Sequence, residues 1–175
     1  MKYERFEDLP VWQTAAELYE RIEHLLENTS FNATRGFRDQ LDRAALSVSN
    51  NIAEGFERGT TAELLQFIYI ARGSAGEVRS MLCLKEHRAN KANWPANLKS
   101  EISNLKSLAE SCARQLRAWA DSLQNSDIKG HRYLTAKARL QDQQKKRAAA
   151  FQKELLRNLP PDHPLRKDAE ERGLI

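Results

Sequence analysis

The chain has 175 residues, with 28 Lys and Arg against 24 Asp and Glu, and contains only 7 Gly and 5 Pro. This length fits one domain and an appendage, and the composition is typical of a helical protein. The sequence has no apolar run of 18 residues, which excludes a transmembrane helix at the level of sequence.

The positive charge is concentrated in the last third of the chain. Residues 1–125 carry 16 Lys and Arg against 17 Asp and Glu, whereas residues 126–175 carry 12 against 7. The basic pI is therefore no evidence that the first region attracts phosphates. Cys83 and Cys112 occupy apolar positions of predicted helices, and we expect both to be reduced core residues. The first ten residues lack the layout of a signal peptide, so a cytoplasmic location is expected.

Two amphipathic helices are predicted in the first 55 residues. The first has Pro10 in its opening turn, and the second starts near Arg35. Gly55 or Gly59 is expected to end the second helix in a left-handed conformation. The apolar stripes are Val11, Trp12, Ala15, Leu18, Tyr19, Ile22, Leu25 and Leu26 in the first helix, and Phe37, Leu41, Ala44, Val48 and Ile52 in the second.

The third helix is the most apolar one. Thr60 and Glu63 have the spacing of a capping box at its start. The stripe comprises Leu64, Ile68, Ala71, Ala75, Val78 and Leu82, and further apolar residues outside it predict a second contact surface. Gly73 and Gly76 each cost about 0.5–1 kcal/mol relative to Ala within a helix, so we expect close approach of a neighbouring helix there. The alternative is a flexible or ligand-contacting site.

The fourth helix has the most regular heptad pattern. Asn93 is predicted as its N-cap, with Pro95 in the first turn. The stripe comprises Leu98, Ile102, Leu105, Ala109, Cys112, Leu116, Trp119 and Leu123. Four such helices with short loops predict an all-α fold, an antiparallel up-down-up-down four-helix bundle over residues 1–125.

Residues 126–175 are predicted to form a basic C-terminal extension, partly helical or disordered. Thr135–Leu156 is rich in Ala, Gln, Lys and Arg and is expected to be helical, although its apolar residues form no continuous stripe. Pro160 and Pro161 end this segment, and Asp162–Ile175 is expected to be a loose terminus.

Residue types that support catalysis are not arranged as an active site. His24 follows Glu23 directly and His87 follows Glu86 directly, whereas di-iron bundles use Glu-x-x-His pairs. Cys-x-x-Cys pairs, phosphate-binding glycine loops and nucleophile elbows are also missing. We therefore expect no enzyme activity, no metal, no cofactor and no small-molecule substrate.

Asn51 and Glu54 form a conspicuous polar pair beside the expected corner between the second and third helices. In one interpretation they hydrogen-bond within the corner and fix its geometry, with Arg43, Arg58 or Arg72 as the partner of Glu54. In the other, Glu54 is an active carboxylate. The structural interpretation is favoured because no His, Ser or second carboxylate lies at a suitable spacing.

Three stretches carry a family resemblance: FEDLPVWQTAAEL, QLDRAALSVSNNIAEGFERG and ELLQFIYIARGSAGEV. They closely resemble the four-helix-bundle family of proteins encoded in intervening sequences of bacterial 23S ribosomal RNA genes. The accessory variability proteins of diversity-generating retroelements are similar bundles. The resemblance implies a pentameric ring and, for the retroelement members, binding of nucleic acid and a reverse transcriptase. The matching positions are Arg43, Asn51, Glu54, Gly55, Arg58, Arg72, Gly73, Ser74 and Glu77.

Two functions are consistent with these features. The first is a non-enzymatic oligomer that binds nucleic acid through phosphate contacts, with RNA as the expected ligand and DNA as the alternative. Its candidate binding residues are Arg35, Arg38, Arg43, Arg58, Arg72, Arg79, Lys145, Lys146 and Arg147. The second is a protein-interaction scaffold whose bundle oligomerises and whose tail docks a partner such as a reverse transcriptase. In both cases Asn51, Glu54, Gly55, Gly73, Ser74 and Glu77 are expected to be structural.

Overall fold

A computed structural model describes residues 3–89, 94–125 and 136–174, apart from some side chains near the ends of these ranges. Within them the fold is all-α, as predicted, and no strand occurs. A short 3₁₀ helix, Phe6–Asp8, precedes α1. The α-helices are α1 (Pro10–Glu27), α2 (Arg35–Glu57), α3 (Thr61–Ala89), α4 (Ala96–Gln124), α5 (Ala136–Asn158) and α6 (Pro164–Glu171).

Helices α1 to α4 share an apolar core, because α1 and α3 each contact both α2 and α4. The core consists of two clusters. One combines the start of α1 with the end of α2, the start of α3 and the end of α4; its largest members are Ile52, Phe56, Leu64, Ile68 and Leu116. The other combines the opposite helix ends; it includes Leu18, Ile22, Phe31, Leu41, Leu82, Ile102 and Leu105.

The predicted stripes largely coincide with the buried residues. All six stripe residues of α3 are buried, and α4 is buried as predicted from Leu98 to Leu116. Beyond that point Ala120 is buried, whereas Trp119 and Leu123 are only partly buried. A straight helix drifts about 20° per heptad, which carries the buried face of α4 from the predicted position to the next residue.

The helix starts follow the predicted chemistry except at α4. Pro10 lies in the first turn of α1. The Thr60 hydroxyl accepts a hydrogen bond from the Glu63 amide at 3.3 Å and donates one to the Glu63 carboxylate at 2.6 Å, which confirms the predicted pairing. Pro95 immediately precedes α4 instead of lying in its first turn, and Asn93 is outside the described residues.

The prediction that Gly55 or Gly59 forms a left-handed stop is wrong. Gly55 lies inside α2, which ends at Glu57, and the next residue, Arg58, is extended with φ −69° and ψ 147°. Among the described residues only Gly173 is a glycine with positive φ. The chain therefore turns from α2 into α3 through extended backbone, and the Thr60 cap starts the new helix.

The chain divides into two compact units, Met1–Arg132 and Tyr133–Ile175. The second unit contains α5, a helix as predicted, and α6, where a loose terminus was expected. That expectation is wrong because Arg166 donates to the carbonyl oxygens of Arg157 (3.0 Å) and Leu159 (2.8 Å), fastening α6 to the end of α5. The Leu174 amide bonds the Ala169 carbonyl at 2.9 Å around Gly173, which closes α6 with the hydrogen bond of a Schellman motif.

Candidate nucleic-acid interface

A polar seam joins α2 to α3 at the middle of the conspicuous sequence motif. The Asn51 amide donates to the Ser47 carbonyl at 2.7 Å and to its hydroxyl at 2.8 Å. The Ser47 and Ser74 hydroxyls are 3.0 Å apart, and Ser74 also donates to the Ile70 carbonyl. Asn51 and Ser74 therefore use their polar atoms within the chain, where they connect two helices.

A second connection between α2 and α3 passes through Gln40. Its amide nitrogen donates to the Glu77 carboxylate at 2.6 Å, and its amide oxygen accepts from Arg43 at 2.8 Å. Gln40 was not singled out from the sequence, although it is three residues before Arg43 and thus on the same face of α2. Glu77 accordingly has a structural partner, and Arg43 is hydrogen-bonded but exposed.

The corner itself is closed by Gly55, Glu54 and Arg58. A Cβ atom added at Gly55 would lie 2.6 Å from Cβ of Phe67 and 3.3 Å from a methyl carbon of Leu64, so α2 and α3 touch here without room for a side chain. Arg58 forms an ion pair with Glu54, and its guanidinium carbon lies 5.0 Å from the centre of the Phe67 ring. Of the three arginines considered from the sequence, Arg58 is the partner of Glu54.

The close approach expected at Gly73 and Gly76 is not made by any of the described residues. An added Cβ atom at either position would meet nothing within 4 Å. Both glycines lie on the exposed side of α3, opposite its buried stripe. The helix contact predicted there is made at Gly55 instead, because Gly55 faces α3 and these two glycines face outward.

The arginines predicted to bind nucleic acid do not form one cluster. Arg35 and Arg58 lie at opposite ends of the 23-residue α2, roughly 35 Å apart. Arg35 lies 3.8 Å from Asp39, and Arg79 contacts Glu110 on α4 at 3.2 Å. Arg72 is exposed on α3, and no carboxylate of the described residues contacts it. Three of the six arginines thus have acidic partners that compete with a phosphate.

The basic run of the second unit lies on α5. Lys145 and Arg147 are exposed there, whereas the side chain of Lys146 is outside the described residues. Exposed Phe151 and Leu155 are one turn apart on the same helix. This helix therefore presents both positive charge and apolar surface.

Three cations from two separate helices, Arg38 of α2 and Lys85 and Arg88 of α3, lie close together in the structure. The Lys85 side chain is only 4% exposed, and its ammonium donates to the Asn32 carbonyl at 2.8 Å. Burial and the nearby guanidinium groups of Arg88 and Arg38 lower the pKa of Lys85. The signal was present, because Lys85 follows Val78 and Leu82 at the three- and four-residue steps of the buried stripe.

The cysteines differ in environment. Cys112 is buried, and burial raises the pKa of its thiol to about 12. Cys83 is exposed, so the prediction that it is a core residue is wrong. It lies directly after the stripe residue Leu82, where the helix turns its side chain away from the core.

Two searches of the described ranges bear on the class of protein. No helix in them is long and apolar enough to cross a membrane. No group of three or more His, Cys, Asp or Glu side chains there is placed to hold a metal ion.

Comparison with known proteins identifies a family. A search of curated proteins found no match. The profile of the 23S rRNA-intervening sequence protein family matches residues 7–118, which include α1, α2, α3 and most of α4. The matched region therefore contains the polar seam, the Gly55 contact and the Lys85 cluster. Because this match covers more than half of the chain, the protein belongs to the 23S rRNA-intervening sequence protein family.

Proposed function

We propose that this protein is a non-enzymatic, oligomeric RNA-binding protein that contacts phosphates without reading bases. Membership in a family named for 23S rRNA intervening sequences carries the proposal. Exposed Arg43 and Arg72 support it, because no carboxylate of the described residues contacts either. Lys145 and Arg147 add exposed positive charge on α5. The proposal includes a cytoplasmic location.

The arginines are expected to contribute unequally. A phosphate that binds Arg43 or Arg72 displaces only water and counterions, whereas one that binds Arg58 or Arg79 competes with Glu54 or Glu110. We therefore assign the main phosphate contacts of the first unit to Arg43 and Arg72. Arg35, Arg58 and Arg79 are secondary because each already has an acidic partner.

The proposal also assigns the first unit an antiparallel up-down-up-down four-helix bundle. The composition of the core clusters supports this, since each combines helix starts with helix ends in alternation along the chain. The contacts between α2 and α3 agree: Gln40 pairs with Glu77, Ser47 with Ser74, and Gly55 packs on Phe67. Residue numbers rise along one helix as they fall along the other.

RNA binding is tested by filter-binding titration with single-stranded RNA over increasing salt. Each lost phosphate contact is expected to weaken binding and to reduce the slope of log K against log salt by about 0.7. Arg43→Gln with Arg72→Gln should therefore lower the slope by about 1.4 in total. Arg114→Gln is the matched control, because its guanidinium is exposed but contacts Glu110 at 3.4 Å. No affinity at low salt would refute the proposal.

A protein-interaction scaffold is the second candidate, favoured by the exposed apolar surface of α3. Ile70 and Leu84 are 44% and 63% exposed, and the open positions Gly73 and Gly76 lie on the same side of the helix. Exposed apolar residues on one side of a helix are the kind of surface on which another protein can pack. We call the side of α3 that carries Ile70, Gly73, Gly76 and Leu84 the α3 ridge, and we propose that a second copy of the chain packs on it. In this candidate function α5 binds another protein, such as a reverse transcriptase.

Measurement of the molar mass by light scattering at micromolar concentration tests whether the chain oligomerises through the α3 ridge. The unaltered chain is expected to be a multimer, and Ile70→Glu is expected to dissociate it, since a buried carboxylate opposes the contact. Asn104→Glu, at an exposed position of α4, adds the same charge outside the ridge and should leave the molar mass of the multimer unchanged. If the unaltered chain is a monomer, the proposal that a second copy packs on the α3 ridge is refuted.

A further inference from the structure

A cavity of about 260 Å³ lies at the end of the first unit opposite the α2–α3 corner. It is bounded by the α1–α2 loop, the start of α2, the last turns of α3 and the residue preceding Pro95. Its lining residues are Asn32, Ala33, Thr34, Phe37, Lys85, Arg88 and Trp94. The cavity is smaller than the 300–1,000 Å³ usual for drug-sized ligands, so it suits a ligand no larger than one mononucleotide.

The charge lining this cavity is unbalanced. Lys85 and Arg88 are positive, and none of the lining residues is a carboxylate. Arg38, which donates to the Phe31 carbonyl at 3.1 Å, adds a third positive charge close to Lys85. The carbonyl end of α3 offsets part of this charge. Of these three cations only Lys85 is buried, and a buried charge is normally paired, so the missing carboxylate favours an anion beside Lys85.

Lys85 is a buried residue of the cavity wall, and not all of its hydrogen-bond donors are used by the described residues. Its ammonium has three N–H groups, and one donates to the Asn32 carbonyl. The remaining contacts are with ring faces: the nitrogen lies 4.4 Å from the centre of Phe37 and 5.3 Å from that of Phe31. Two strong donors of a nearly fully buried ammonium thus have no oxygen acceptor among the described residues.

Aromatic rings and a helix start complete the cavity. Phe31 packs edge-to-face on Trp94 at 5.9 Å between ring centres, which holds the indole in place. Thr34 and Phe37 belong to the N-terminal turn of α2, whose dipole is positive at this end. An aromatic surface therefore lies beside a cationic one, as in sites that stack a base and hold its phosphate.

We propose that this cavity binds one nucleotide, with its phosphate on Lys85 and Arg88 and its base against Trp94. The choice of a nucleotide rests on the proposed RNA-binding function, but the anion preference rests on the cavity alone. A free nucleotide and the phosphorylated end of an RNA offer the same chemistry. The site is separate from Arg43 and Arg72, which take phosphates along the RNA backbone.

Isothermal titration calorimetry with adenosine monophosphate, adenosine and inorganic phosphate tests the site. Adenosine monophosphate is expected to bind at least about tenfold more tightly than either fragment, because only it engages both surfaces. Arg88→Gln should weaken it about tenfold or more, since one charge-assisted hydrogen bond is lost. Arg88 is exposed, so this variant is expected to fold. Arg114→Gln on α4 is the control and should bind like the unaltered chain.

Lys85→Met is the second variant and should abolish binding of the phosphate group while keeping the volume of the side chain. A Trp94→Phe variant should weaken adenosine monophosphate but leave inorganic phosphate unchanged. The inference is overturned when adenosine monophosphate fails to bind, or when it binds Arg88→Gln and the unaltered chain equally. Equal binding by the two proteins would indicate that Lys85 and Arg88 only stabilise the carbonyl end of α3.

Two RNA oligonucleotides that differ only in a 5′ phosphate separate the sources of ligand and the two proposals. Tighter binding of the phosphorylated RNA that Arg88→Gln removes identifies an RNA end as the occupant. Nucleotide binding without any RNA binding supports the cavity and refutes the proposed function. RNA binding that is indifferent to both the 5′ phosphate and nucleotide competition retains the proposed function and refutes the cavity.

Discussion

The two ends of the first unit use polar residues in opposite ways. At the α2–α3 corner, Glu54 is paired with Arg58, and Asn51 is hydrogen-bonded to Ser47. At the other end, Lys85 and Arg88 line a cavity that has no carboxylate. The corner contains the most distinctive sequence motif, yet its polar groups are satisfied internally. We therefore base the proposed binding site on unbalanced charge and not on the density of sequence motifs.

The largest expected loss of stability is that of Gly55→Val at the α2–α3 corner. A valine there would place Cβ within 2.6 Å of Cβ of Phe67, an atom fixed to the α3 backbone, so the helices must separate. We expect a loss of about 3 kcal/mol in the free energy of unfolding, measured by urea denaturation. Gly73→Ala, with open space around it, is the matched control and should gain about 0.5–1 kcal/mol. Equal effects at the two glycines would contradict the close contact.

The second prediction tests the opposite end through pH. Burial lowers the pKa of Lys85, so above that pKa the folded state holds fewer protons than the unfolded state. The free energy of unfolding therefore rises with pH up to about the unfolded pKa of 10.4. The Lys85→Met variant lacks this gain, which amounts to about 1.4 kcal/mol for each unit by which the pKa is lowered.

Thermal or urea unfolding at intervals between pH 7 and 10.5 measures this difference. The curves of Lys85→Met and the unaltered chain are expected to diverge as pH rises, with the unaltered chain gaining. Lys106 on α4, which is ion-paired with Glu86, provides the control substitution Lys106→Met. Parallel curves for Lys85→Met and the unaltered chain would show that the Lys85 ammonium is ordinarily solvated.

The third prediction concerns the polar seam. Asn51→Ala removes the two hydrogen bonds to Ser47 and should cost about 1 kcal/mol. A double-mutant cycle with Ser74→Ala should show coupling of about 0.5 kcal/mol, because Ser47 connects the two residues. Exposed Asn50→Ala should change stability by less than about 0.5 kcal/mol. Additive effects of Asn51→Ala and Ser74→Ala would argue against a connected seam.

The smallest expected effect is that of Arg58→Gln at the corner. Its ion pair with Glu54 is about half exposed, so its loss should cost less than about 1 kcal/mol. RNA affinity should fall less than for Arg43→Gln, which lacks a competing carboxylate. Parallel filter-binding titrations of the two variants make the comparison, and a larger loss for Arg58→Gln would reverse the assignment of phosphate contacts.

The core of the first unit was predictable because burial follows helical periodicity. Leu64 to Leu82 repeat at three- and four-residue steps, and all six stripe residues are buried. The cationic cavity was not predictable from periodicity alone, because Lys85 continues the stripe of α3 but a lysine at such a position is rarely buried. Its partners come from distant segments, Asn32 and Trp94, which only the packing of α1 to α4 brings together.

The glycines show a second limit of sequence reasoning. A glycine in a helix indicates either a close neighbour or a surface that contacts something outside the chain, and the sequence gives no direction. Gly55 has the close neighbour, whereas Gly73 and Gly76 face open space. Helix α6 was missed for a different reason: Arg166 bonds two carbonyl groups of the preceding turn, and such side-chain to backbone contacts leave no periodic pattern.

The fastening of α6 has a consequence for hydrogen exchange. Arg166 and the Gly173 turn hold the helix by hydrogen bonds, but among the described side chains of the second unit only Ala169 is buried. Hydrogen bonds without apolar burial open at low free energy. Amide protons of α5 and α6 should therefore exchange through frequent local openings, whereas those of the buried faces of α3 and α4 exchange only when the first unit unfolds.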